Sequence, residues 1–138
     1  MCSASPSVPS APRNSRPSIA HVLTGLSITC LLYTSDAADA AIARWSEAGA
    51  DLVLGGHIHL PYVAALHERV NGLPRRMWAV QAGTAVSHRV RPGAPNSVNV
   101  IRWGDTLPQG RCVVERWDYR AQPGSFAKEA EHVLDTAR

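Results

Sequence analysis

The sequence predicts an α/β domain rich in strand, carried on residues 40–138 and preceded by a disordered amino-terminal segment. Three observations predict it. An alanine-rich helical pattern closes at Gly49 and feeds the short apolar run at 51–54, the succession expected of a covering helix and a strand buried on both faces. Farther on, two alternating runs flank the turn-rich stretch 104–110, as in a hairpin. Ahead of both, residues 1–19 are rich in Ser and Pro and have no apolar period, a composition that cannot bury enough surface to fold.

Each element follows from its residues. In 40–49, Ile42 and Trp45 share a helical stripe with Ala41 and Ala48, and Gly49 suits the position just past the end. Residues 62–70 read as a second strand. Asn71-Gly72 is a turn signal, extended by Leu73-Pro74. Residues 77–81 return as a strand that ends at Ala82-Gly83. The hairpin pairs 98–103 with 112–119, where Val113, Glu115, Trp117 and Tyr119 alternate with Val114, Arg116 and Asp118. Its aromatic stripe reads as sheet-face packing. After Pro123-Gly124-Ser125, the residues Phe126, Ala130, Val133, Leu134 and Ala137 recur at helical spacing, predicting a terminal amphipathic helix.

Composition narrows the function classes. A chain of 138 residues, 45% hydrophobic, allows one small domain. The net charge of +3 comes from dispersed arginines, and Lys128 is the single lysine. Nucleic-acid binders carry a clustered basic footprint, so no nucleic-acid partner is expected, although a mild positive field can steer a phosphate-bearing substrate. Cys2, Cys30 and Cys112 are odd in number, against a disulfide framework, and Cys112 reads as a small strand residue. Arg13 and Arg16 ahead of the apolar stretch 19–33 imitate a signal peptide. That stretch is interrupted by Thr24, Ser27 and Thr29 and is too short for a membrane helix, which needs about 20 apolar residues. The expected location is cytoplasmic, with no membrane partner.

One stretch carries metal chemistry: Gly55-Gly56-His57-Ile58-His59, directly after the apolar strand. In an extended segment, residues two apart point to the same side, so His57 and His59 would present two imidazoles to one pocket while Ile58 packs into the core. Their Cα atoms would lie roughly 6–7 Å apart, a separation that suits one shared ion or two ions about 3.5–4 Å apart. The glycines allow a sharp bend at the strand end and room for a ligand. A cupin-like barrel also uses His-x-His but needs a Glu three or four residues on, where this chain has Val63 and Ala64.

The Gly-Gly-His-x-His block, followed by Leu60-Pro61-Tyr62, resembles the last metal-binding block of the calcineurin-like metallophosphoesterases. A second stretch, Gln81-Ala82-Gly83-Thr84-Ala85-Val86-Ser87-His88-Arg89, continuing through Pro95-Asn96-Ser97 to Ile101, is similar to the segment that follows that block in many bacterial members. The resemblance covers residues 41–120. It implies the carboxyl-terminal part of a four-layer α/β/β/α sandwich that hydrolyses phosphate mono- or diesters of small molecules through a dinuclear site of Mn, Fe or Zn. His57 matches a ligand of the second metal and His59 a ligand of the first. Arg89 is a candidate phosphate contact, since a guanidinium matches two phosphate oxygens. Thr84, Asn96 and Asn99 read as organisers of turns and strand edges, and His67 as a surface residue.

The family's earlier blocks, Asp-x-His, Gly-Asp-x-x-Asp and Gly-Asn-His, are absent, and His21 is the sole candidate for its lone upstream histidine. Residues 30–39, Cys-Leu-Leu-Tyr-Thr-Ser-Asp-Ala-Ala-Asp, resemble the translation of a transposon-type sequencing adapter. Residues 1–39 are therefore expected to be chimeric and 40–138 to be a fragment inactive alone. The alternative is a non-catalytic, β-rich interaction domain whose histidines are structural.

Overall fold

Helix α1 (Asp36–Glu47) opens the part of the chain, residues 36–137, that the computed structural model describes. The Ser/Pro-rich segment, the signal-like pattern, His21, Cys2, Cys30 and residues 30–35 of the adapter-like stretch lie outside the described residues. The helix starts ahead of the expected boundary at residue 40. Its first turn includes the buried Ala38, and Asp39 pairs with Arg69 at 3.0 Å. Ala38, Ile42 and Ser46 form its buried stripe, with Trp45 half-buried and Ala48 exposed. Gly49 follows at φ +98, a backbone conformation that costs a side chain steric energy and glycine none.

The chain then enters β1 (Leu52–Gly55), β2 (Tyr62–Ala65), the single helical turn α2 (Leu66–Arg69) and β3 (Trp78–Gln81). These strands form a sheet in the order β1-β3-β2, parallel between β1 and β3 and antiparallel between β3 and β2. The expected strand at 62–70 is cut short because Leu66 turns inward to 3% exposure, and Asn71-Gly72 then reverses the chain with Gly72 at φ +76. A second, antiparallel sheet holds β4 (Ser97–Arg102), β5 (Arg111–Arg120) and β6 (Ser125–Asp135) in sequence order. The described residues thus form a small, strand-rich α+β domain in which, among them, only β1–β3 is parallel.

Strand alternation splits the first sheet between two cores. Val53 and Ala79 face α1 with Ile42, Leu66 and Met77. Leu52 and Val80 face the second sheet with Cys112, Val114 and Leu134. β1 is therefore apolar on both faces for the reason its sequence suggested: a layer lies on each side. Helix, first sheet and second sheet form three layers. Trp78 Nε1 donates to the Asp135 carbonyl at 2.9 Å and Arg76 pairs with Asp135 at 2.7 Å, tying the two sheets together. Arg75 bonds both the Gly49 carbonyl at 2.9 Å and the Asp51 carboxylate at 2.7 Å, fixing the link between helix and β1.

The terminal helix expected over 126–137 is instead β6. Ten of its eleven residues pair along the free edge of β5, which satisfies backbone groups that a helix packed there would leave open. A register shift opposite Arg116/Trp117 leaves Glu129 unpaired between Lys128 and Ala130. One extra residue reverses the inward phase of a strand. Ala127 lies on the inner side before the bulge, and Ala130 and Leu134 after it. That phase break disguises a strand as a helical period.

Candidate functional site

Both sequence blocks singled out above leave the first sheet at one edge. β1 and β3 run parallel, so the loop 56–61 after β1 and the loop 82–96 after β3 emerge side by side. Loops at the carboxyl ends of parallel strands are where open α/β sheets hold ligands. Ala82 N donates to the Gly55 carbonyl at 2.7 Å, carrying the strand pairing one step into the loops. A Cβ at Gly55 would stand 2.4 Å from Gln81 Oε1, and one at Gly83 would stand 2.0 Å from Ser97 Oγ. Both glycines are therefore close-approach positions: at Gly55 a neighbouring strand's side chain crosses the backbone, and at Gly83 the chain lies on the second sheet.

The histidine loop is not extended. β1 stops at Gly55, His57 and Ile58 occupy a turn, and His59 adopts φ +58. The expected two-residue alternation therefore does not govern these side chains. Ile58 is half-buried and lies outside both cores. His57 is exposed, and Gly56 before it has open space within 4 Å of where a Cβ would be. A left-handed non-glycine residue costs roughly 1–2 kcal/mol, so contacts must hold it. Two do. His59 Nδ1 lies 2.9 Å from the Arg89 carbonyl, and Arg91 Nε donates to the Ile58 carbonyl at 3.1 Å. Because a carbonyl oxygen can only accept, Nδ1 of His59 carries the proton of this bond, and in the neutral ring Nε2 then keeps its lone pair.

The second loop is a braced strap. Thr84 Oγ1 accepts from Ser87 N at 3.1 Å, Asn96 Nδ2 donates to the Ser87 carbonyl at 3.0 Å, and Asn99 Nδ2 donates to the Gln81 carbonyl at 3.2 Å. Those are the turn and strand-edge roles read for Thr84, Asn96 and Asn99. Pro92-Gly93 makes the reversal that returns Arg91 toward Ala94, whose N–H reaches the Arg91 carbonyl at 3.0 Å, with Gly93 at φ +75. His88 and Arg89 are exposed, and among the described residues the Arg89 guanidinium has no ion-pair partner. His67, expected at the surface, is half-buried in α2, where Nδ1 meets the Met77 carbonyl at 3.1 Å and the ring stands edge-on to Trp78.

As a metal site this is a partial donor set. His59 offers a bare Nε2, and His57 stands on the same turn. Among the described residues no group of three or more His, Cys, Asp or Glu side chains is placed to hold an ion. Two imidazoles suit borderline divalent ions such as zinc or iron but leave most of the coordination to other groups. Arg91 went unmarked in the sequence reading. Its signal was the adjoining Pro-Gly turn, which fixes where the arginine returns.

No family model, curated protein or solved structure matches the chain. Among the described residues no helix is long and apolar enough to cross a membrane.

Proposed function

We propose that residues 40–138 are the carboxyl-terminal part of a calcineurin-like metallophosphoesterase, a four-layer sandwich in its complete form, and that residues 1–39 are foreign to it. One observation supports this reading above the others. The two blocks that resemble the family, far apart in sequence, sit together at the carboxyl edge of β1–β3 and are stitched by His59–Arg89 and Arg91–Ile58 hydrogen bonds.

In that reading His57 and His59 hold one ion each, His59 through Nε2. Divalent metals, if bound there, would supply an activated water and positive charge beside the phosphate. The chain's own part is to orient the imidazoles, to keep the approach over Gly56 open, and to bring the Arg89 guanidinium to a phosphate oxygen pair. The remaining ligands are Asp, Asn and His side chains of upstream blocks that this sequence lacks, so the chain alone binds metal weakly and hydrolyses little. The second reading, an interaction domain with structural histidines, draws on the same His59–Arg89 bond, which a structural imidazole would also make.

Reading the natural gene across codons 30–39 tests the assignment. Asp-x-His and Gly-Asp-x-x-Asp blocks upstream are the expected result, and a gene without them refutes it. In the restored protein, His57→Ala and His59→Ala abolish phosphodiesterase activity with the fold retained. Unchanged activity would leave the interaction domain.

A further inference from the structure

We infer that Arg91 is a positioning residue for the histidine loop, and that the strap 89–91 sets which nitrogen of His59 faces outward. The inference deepens the reading above and rests on it only where metal is concerned. His59 holds a left-handed backbone at φ +58, which its own side chain disfavours. On one side the loop begins at Gly56, which has open space around it and does not restrain the turn. Restraint comes from across the gap. Arg91 Nε takes the Ile58 carbonyl at 3.1 Å, immediately before His59, and the Arg89 carbonyl takes Nδ1 of the ring at 2.9 Å.

Arg91 is itself fixed by the Pro92-Gly93 reversal and by Ala94, which is buried to 5% exposure. The strap thus grips the turn at two successive residues, once on backbone and once on side chain. Such outer contacts fix a ligating imidazole's tautomer and direction, and their loss typically weakens metal affinity 10–100-fold, by the general rule for groups behind metal ligands. Without Arg91 the Ile58 carbonyl loses its donor, the turn relaxes away from the left-handed conformation, and His59 Nδ1 leaves the Arg89 carbonyl.

Nitrogen-15 NMR of the imidazoles in the full 138-residue chain tests this without metal, at about pH 8, above the ordinary histidine range. Wild type is expected to show His59 protonated on Nδ1 and bare on Nε2. Arg91→Ala is expected to shift it to a mixture, and Arg91→Lys, which keeps a donor, to restore part of the wild-type tautomer. Zinc alone, titrated in parallel, should bind Arg91→Ala about tenfold more weakly than wild type. A wild-type His59 protonated on Nε2, or an Arg91→Ala chain with the wild-type tautomer, overturns the inference. The tautomer shift with zinc binding too weak to measure would still support the strap, since the described residues alone lack most of the ligands a metal site needs.

Discussion

Replacing Gly83 by alanine should destabilise the chain through one identifiable atom. A Cβ at 83 would lie 2.0 Å from Ser97 Oγ, 3.4 Å from Ser97 Cβ and 3.6 Å from Pro61 Cδ. Ser97 is 1% exposed, so its hydroxyl can rotate only into packed surroundings. Overpacking of this kind costs about 1–3 kcal/mol. Among the described residues that hydroxyl has no hydrogen-bond partner. Ser97→Ala should therefore be neutral or slightly stabilising, because it removes a buried polar atom without breaking a bond. In the Ser97→Ala background the closest contacts left are those at 3.4 and 3.6 Å, and the cost of Gly83→Ala should fall below about 1 kcal/mol. The coupling between the two sites is then about 1–2 kcal/mol, within the range for touching residues. Urea denaturation of the four proteins, with slopes compared, measures it. If Gly83→Ala costs the same in both backgrounds to within about 0.5 kcal/mol, the close approach of the strap to β4 is not the reason for a glycine.

Four further outcomes are expected. The Trp117 indole, followed by Arg102 and Lys128, holds the Glu115 carboxyl below its ordinary value. Its ionised form therefore stabilises the fold above the ordinary carboxylate range, and that contribution is lost as pH falls through the lowered folded value. Glu115→Gln should flatten the acid side of a pH–stability curve, and an unchanged acid slope would remove Glu115 as its source. Trp78→Phe deletes the bond to the Asp135 carbonyl and should cost about 1 kcal/mol in urea denaturation. Gly93→Val should cost roughly 1–2 kcal/mol, by strain alone, since nothing lies within 4 Å of the added Cβ at φ +75. Burial, followed by the charge of Asp51, pushes the Cys112 thiol up. Iodoacetamide should label it only after unfolding, as peptide mass mapping would show.

The sequence determined what depends on neighbours along the chain. Gly49 ended the helix because a left-handed closure favours glycine. The run 51–54 announced a strand covered on both faces, and Asn71-Gly72 a reversal. The alternation in 98–103 and 112–119 specified a hairpin, and the structure pairs these runs antiparallel as β4 and β5. The pairing of the two blocks at one sheet edge was legible only as a resemblance, because nothing in either block encodes the parallel neighbour that aligns them. Tertiary structure alone decided the rest. It made 126–137 a strand, since a free β5 edge and one bulged residue outweighed an apolar period that local reading assigns to a helix. It turned His57 and His59 out of the extended geometry, because the His59 ring bonds to the Arg89 carbonyl and Arg91 donates to the Ile58 carbonyl, contacts some thirty residues away that hold the loop. Local pattern carries short-range preferences, and a long-range contact can override them wherever the local alternatives differ by only a kcal/mol or so.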